Sequence, residues 1–474
     1  MKYRRLSSLK AIVAFLVFTL LISACSSPAS APASSDAAGD TASDAASGDA
    51  AASGGDARQF EGTELNLLYF AMTYTDGLQQ LLPEFEEETG IKVNFELLDE
   101  QASVQKTQLE LASGTGNYDI VGIQSGNMPL YGQNGWVTPV ENFYGTPLSD
   151  PDALNPDDFI GSTMDALKYD GVQQCLPMFA ATTILYYRLD IFEEFGIDGP
   201  PATYDDLIEI ASQIDTDAIP AIALRGSPPS PAGNVWSFGT FFHGEGAQYF
   251  ADFPNDMTPT VNSPEAITAL ENFVELLQNY APDGVASYVF NDVVTAMQQG
   301  NVAMVIDGAP LAGRILNPDE SKVIDKLGFA VVPAGAAGQK AAFVAHGLCI
   351  AADSPNQEAA YKFLEWATSA ETMRQVALAS NHLAVTRDSV WEDPDFIAKY
   401  DFDYGGGSFL TAYQDSLAVA VPDYFPPFAG WELIGQRMGQ AVQEAEIGEK
   451  TPEEALNDAN EDMIRILQDE GYLQ

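Results

Sequence analysis

Few side chains in this sequence could do covalent or metal chemistry. Its 474 residues include three cysteines, Cys25, Cys175 and Cys349, and three histidines, His243, His346 and His382, beside 68 acidic groups. A zinc site needs Cys or His ligands grouped at short spacings, and neither set has them. The sequence contains no G-x-S-x-G turn, no H-E-x-x-H, no P-loop and no G-x-G-x-x-G. The glycine-rich stretch from Tyr404 to Ser408 lacks the lysine and the helix that would cradle phosphate, and reads as a loop. Carboxylates are so numerous that some pair must fall at glycosidase-like distances, so acid pairs single out no site. The expectation is therefore no catalytic residue, no metal and no cofactor. Outside the cytosol Cys175 and Cys349 could pair, but two buried free thiols are the expected state.

Cys25 is a separate case, because the residues before it deliver it somewhere. Lys2, Arg4, Arg5 and Lys10 precede an apolar run from Ala11 to Ile22, and the small residues Ser23 and Ala24 follow. A basic start, a short apolar core and a small-residue cleavage site make a signal peptide, here 1–24. The apolar run falls short of the roughly 20 residues that span a bilayer. Ile22-Ser23-Ala24-Cys25 resembles the bacterial lipobox, in which the cysteine is acylated and becomes the mature N-terminus. Each buried methylene of an acyl chain adds about 0.8 kcal/mol of membrane attachment. Residues from Ser26 to Arg58 are Ala, Ser, Gly, Asp, Pro and Thr, with Arg58 the one basic group. They bury too little apolar surface to offset ordering, so 25–60 is expected to be a flexible, lipid-anchored linker. The expected location is extracytoplasmic, held to the cell membrane through that anchor alone.

About 415 residues remain beyond the linker, more than one hydrophobic core usually supports, so two lobes are expected. The formal charge is −47, and removal of the four basic residues of the first ten takes it to −51. Such a balance argues against nucleic acid, which needs a basic footprint, and against adsorption to anionic lipid. A soluble monomer is expected.

The hydrophobic pattern supplies the elements. Leu65 to Phe70 is strand-like, and Leu78, Leu81, Leu82 and Phe85 share a helical face that Gly90 should stop. Ile91, Val93 and Phe95 alternate as in a strand, a helix follows around Val104 to Ala112, and Asp119 to Ile123 forms the next strand. That alternation predicts a parallel α/β sheet. Thr203 should cap a helix, and Ser263-Pro264, Ser354-Pro355 and Thr451-Pro452 should open three more.

Four stretches, in this order, carry a resemblance. They are Phe85 to Val93 (FEEETGIKV); Tyr118-Asp119-Ile120-Val121 with Gly135 to Val140; Leu176 to Asp190 running on to Leu207; and Gly300 to Gly308 with Ala359 to Ala367 and Thr386-Arg387. Together, behind a lipobox, they resemble family 1 of the bacterial ABC-transporter solute-binding proteins, the maltose-binding-protein-like receptors. The resemblance implies a periplasmic-binding-protein type II fold, two α/β lobes joined by a crossover hinge. One lobe would hold 61–179 and 346–383, the other 183–342 and 384–474. It also implies capture of a small carbohydrate, delivered to the permease subunits of an ABC importer by closure of the lobes.

Carried over by motif, the expected ligand-binding residues are Tyr74, Ser125, Asn127, Thr182, Asn234, Trp236, Asp307, His346 and Trp431. Met72, Thr73 and Ala181 belong to the same loops. Aromatic rings would stack on the C–H faces of a sugar, and polar groups would match its hydroxyls. The charged and aromatic positions of the maltose receptor fall on residues such as Met72, Gly126, Ala181 and Pro310, so the resemblance does not carry maltodextrin specificity. The stretch from Asn262 to Gly335 looks closer to receptors for sugar alcohols and small glycosides. The competing readings are a receptor of the same fold for a polyamine, peptide or iron, one that feeds a sensor kinase, and a surface glycosidase. Each site residue also has a packing alternative: Trp236 and Trp431 could fill a lobe core, and His346 could be a satisfied buried histidine.

Overall fold

The computed structural model describes residues 58–214, 219–228 and 233–473. Cys25, the expected signal peptide and the expected linker up to residue 57 lie outside the described residues. Nine strands form one mixed sheet: β1 (Glu64–Phe70), β2 (Lys92–Leu98), β3 (Ile120–Gln124), β4 (Val137–Thr138), β5 (Cys175–Arg188), β6 (Ile222–Ala223), β7 (Met304–Gly308), β8 (Leu327–Ala330) and β9 (Phe343–Ala351). The main order is β2-β1-β3-β9-β5-β7-β6, with β8 beside β5 and β4 beside β9. β1 is parallel to β2 and to β3, as the alternating pattern predicts.

Two long strands join the halves of this sheet. β5 pairs with β9 from Cys175 to Thr182, and from Thr183 onward it pairs with β7 and β8. Its run Thr182-Thr183-Ile184-Leu185-Tyr186-Tyr187, rich in β-branched and aromatic residues, suits a strand buried on both faces. A strand shared between the two half-sheets carries the chain from one lobe to the other.

The predicted helix signals are largely realised. The helix α1 (Thr73–Thr89) ends at Gly90, and α2 (Glu100–Ser113) ends at Gly114, both glycines left-handed at φ 72° and 61°. Ser263 and Thr451 cap their helices through the side chain, and Thr203 Oγ1 accepts from Asp206 N. Ser354 does not do so. Its hydroxyl donates to the buried Asp119 carboxylate at 2.6 Å, and the helix starts three residues later, at Gln357. The same oxygen accepts from Asn356 N at 3.0 Å and so closes the turn before that helix.

Two further findings differ from the sequence expectations. Cys175 and Cys349 are not free thiols but a disulfide, with Cα atoms 4.5 Å apart. They are directly opposed on antiparallel β5 and β9, a register that no spacing in sequence reveals. The chain after Ala384, expected with the second lobe, first packs on the first. Helices Asp388–Trp391 and Pro394–Tyr400 touch helix Ala370–Ser380. Arg387 is fully buried there and donates to the carbonyls of Thr368, Asn155 and Leu154 at 2.9, 2.8 and 3.0 Å, with its guanidinium 3.5 Å above the Phe159 ring. A buried cation needs several acceptors, and unpaired carbonyls at the ends of two helices supply them.

Candidate functional site

A cavity of about 610 Å³ lies where the two halves of the sheet face each other. In the first lobe the carboxyl ends of β1, β2 and β3 deliver Ala71 to Thr73, Asp99 and Glu100, and Gln124, Gly126 and Asn127 to its wall. Residues just beyond parallel strands are where α/β proteins place ligands. The second lobe supplies Arg225 after β6, Gly308, Pro310 and Leu311 after β7, and Trp431 and Glu432 at the start of α3 (Trp431–Glu446). Phe179, Ala181, Val344 and His346 of the hinge strands form the floor between them.

Four of the nine expected residues line this cavity: Asn127, Trp236, His346 and Trp431. The other five stand behind it, each with a visible structural task. Tyr74 is buried, its hydroxyl 2.5 Å from the Ala367 carbonyl. Ser125 Oγ accepts from Ala345 N at 3.2 Å and so ties the β3 loop to the hinge. Thr182 is buried in β5, with Oγ1 3.5 Å from the Ser416 carbonyl. Asn234 donates to the carbonyls of Gly226 and Gly439, at 3.2 and 2.9 Å, and holds the loop that follows Arg225. Asp307 has 0% exposure and takes two hydrogen bonds from Arg225, Nε to Oδ2 at 2.9 Å and Nη2 to Oδ1 at 2.5 Å. Its Oδ1 also accepts from Gly308 N at 2.7 Å.

Arg225 thus stands at the wall where Asp307 was expected to stand. The fork-to-carboxylate geometry fixes the guanidinium plane, and the Trp236 and Phe290 rings flank it at 5.3 and 5.7 Å. Facing it across the cleft is Glu100, whose Oε1 accepts from Gln124 Nε2 at 2.6 Å. The Glu100 pKa is raised, chiefly by burial and also by the nearby Asp307 and Asp99 charges, although the charge of Arg225 and the Gln124 hydrogen bond oppose the shift. His346 shares a buried hydrogen bond with Tyr69 through Nδ1 and packs against Phe179 with ring centres 4.5 Å apart. Burial lowers the His346 pKa to about 3, so at neutral pH it is an uncharged hydrogen-bonding group. Trp431 stacks on Phe425 at 5.5 Å and meets Tyr249 edge-on at 4.8 Å.

Sequence reasoning overlooked Arg225 and Glu100. Both carry the same signal as the loops it did select: Arg225 follows the apolar run Ile222-Ala223-Leu224, and Glu100 follows β2 and opens a helix. Among the described residues no group of three or more His, Cys, Asp or Glu could hold a metal, and no helix is long and apolar enough to cross a membrane.

The family model described as bacterial extracellular solute-binding protein matches residues 72–374. The mannitol-binding protein of Pseudomonas aeruginosa is 27% identical over 418 residues, covering 83% of this chain and 91% of that one. The erythritol/L-threitol-binding protein of Mycolicibacterium smegmatis is 26% identical over 359 residues, 73% of this chain and 75% of its own. Among solved structures, an ABC-transporter solute-binding protein of Agrobacterium vitis with bound D-mannitol superposes with a TM-score of 0.76 at 27% identity, over 87% of this chain and all of that one.

Proposed function

This chain belongs to the family of bacterial extracellular solute-binding proteins, and on that premise we propose that it captures a sugar or sugar alcohol and presents it to an ABC importer by closing its lobes. The observation that carries the reading is the interlobe cavity, which sets aromatic rings beside paired donors and acceptors. Trp236, Phe425 and Trp431 offer apolar faces for C–H groups. The Arg225 guanidinium donates, Glu100 accepts, and Asn127 does both, which matches the dual character of a hydroxyl. Each hydroxyl buried without a partner would cost about 1–3 kcal/mol, so the pattern of groups selects the ligand. Relatives named for mannitol and for erythritol and threitol support a sugar alcohol over a long oligosaccharide.

No residue of the wall is assigned a catalytic part, and the protein acts by binding. Asn127, Trp236, His346 and Trp431 are proposed to touch the ligand, with Arg225 and Glu100 added. Tyr74, Ser125, Thr182, Asn234 and Asp307 support them from behind. The rest of the assignment follows the sequence: acylation of Cys25 outside the cytoplasm, a flexible leash through residue 60, and a monomeric receptor kept near its permease. A ligand that binds the closed form shifts a two-state population toward it.

A thermal-shift screen of the purified protein against sugars and polyols tests this reading. A ligand at 100 times its dissociation constant should stabilise the fold by about 2.7 kcal/mol. If no sugar or polyol raises the melting temperature while an amino acid or polyamine does, the carbohydrate assignment fails. Loss of labelled fatty-acid incorporation in Cys25→Ala checks the anchor, and retained labelling would remove it.

A further inference from the structure

The charges of the cavity wall are unequal, and their arrangement bears on which carbohydrates can enter. Four carboxylates line it, Asp76, Asp99, Glu100 and Glu432, against two cationic side chains, Arg225 and Arg314. Arg225 is already engaged by Asp307 through two N–H groups. Arg314 is exposed, and its Nη1 donates to Asn291 Oδ1 at 2.8 Å. On the acidic side, Asp99 caps α2 by accepting from Ala102 N, while Glu100 has one oxygen bound to Gln124. The second Glu100 oxygen accepts from none of the described residues, and the residue lines the cavity opposite Arg225.

We infer that this cleft admits neutral and amino-bearing sugars and polyols and rejects their anionic forms, and that Glu100 is the residue that sets the discrimination. A ligand between Glu100 and Arg225 must donate on one side and accept on the other. One hydroxyl does both, whereas an ionised carboxylate or phosphate has no proton for Glu100. A ligand anion is drawn to Arg225, but Asp307 already compensates that charge, and Glu100 in its ionised form, which the Arg225 charge favours, opposes the anion from the facing wall. Two like charges a few ångströms apart in a partly desolvated cleft repel strongly enough for about 100-fold discrimination. An ammonium group would instead pair with Glu100.

This inference rests on the carbohydrate reading, and the test separates the two. Calorimetry at neutral pH would compare D-mannitol with D-mannonate, D-glucose with D-glucuronate, and D-glucose with D-glucosamine. Each acid is expected to bind about 100-fold more weakly than its neutral counterpart, and the amine to bind within tenfold of it. In Glu100→Gln the gap between neutral and acid should shrink below tenfold while the melting temperature of the free protein stays unchanged. An acid that binds the unmutated protein within tenfold of its neutral partner overturns the inference and leaves the carbohydrate reading standing. A gap that persists in a folded Glu100→Gln protein overturns the assignment to Glu100. Failure of every sugar, acid and amine to bind would sink the carbohydrate reading itself, and this inference with it.

Discussion

The two walls of the cleft are built by different physics. The first-lobe wall is a set of strand-to-helix turns, whose polar groups sit where parallel strands end and helices begin. Asp99 illustrates it: the residue exists to cap α2, and the cap places Glu100 at the cavity. The second-lobe wall depends instead on a buried ion pair and on ring packing. Arg225 reaches the cavity because Asp307 holds it from beneath, and Trp431 does so because Phe425 and Tyr249 clamp it. The first wall is specified locally, by residues adjacent in sequence. The second is specified by partners 82 residues apart for the ion pair, so it exists only once the lobe has folded.

That contrast is broken most severely at the ion pair. Asp307→Ala should leave a cation with a deleted partner at a nearly buried site, costing about 3–5 kcal/mol of stability and at least 100-fold in ligand affinity. Urea denaturation and calorimetry measure the two losses. Weakened binding with undiminished stability would make Asp307 a direct ligand contact rather than the support of Arg225.

Acid tests the lobes unequally. Burial lowers the pKa of His346 and His382, near the first lobe and hinge, to about 3, and that of His243 in the second lobe to about 4. Their folded-state values lie below the ordinary 6.5, so the unfolded chain binds protons that the native one refuses. Their contribution to stability is complete above pH 6.5 and falls as the pH drops through 6 and 5 toward those values. At pH 5 each should cost about 2 kcal/mol. Glu446, pushed up to about 8 by burial, works in the opposite sense: its contribution is full below about pH 4.5 and is lost as pH rises toward 8. Urea midpoints measured from pH 8 to 5 should therefore fall on the acid side, and His346→Gln should flatten that fall by about one proton. An acid limb unchanged in this variant would mean that His346 is protonated in the native state.

The smallest expected effect lies where the walls meet. Gln108 of α2 donates to Glu432 of α3 at 3.3 Å, a side-chain contact between the two lobes. Gln108 does not line the cavity. Gln108→Ala should weaken ligand affinity by about two- to fivefold, through loss of one partly exposed hydrogen bond, with the melting of the free protein unaltered. An unchanged affinity would remove this contact from the closure equilibrium.

Local sequence made most of the first lobe legible. Gly90 and Gly114 stopped helices where their left-handed φ allowed, and the loops after β1 and β3 were found at the cavity. It misplaced Asp307 because a strand-end aspartate facing a cleft and one buried beneath an arginine carry the same local signature. It left Trp236 and Trp431 balanced between stacking and packing, and the structure shows them largely buried yet still part of the wall.

By itself the sequence determined the charge, the alternation of strands and helices, and the order of motifs that marks the family, since each depends on neighbouring residues or on composition. Tertiary structure alone decided that Cys175 faces Cys349, that Arg387 is sunk among carbonyls of the first lobe, and that Arg225 rather than Asp307 reaches the cleft. These are pairings between residues far apart along the chain. Their geometry follows from strand register and lobe packing, which no local pattern encodes.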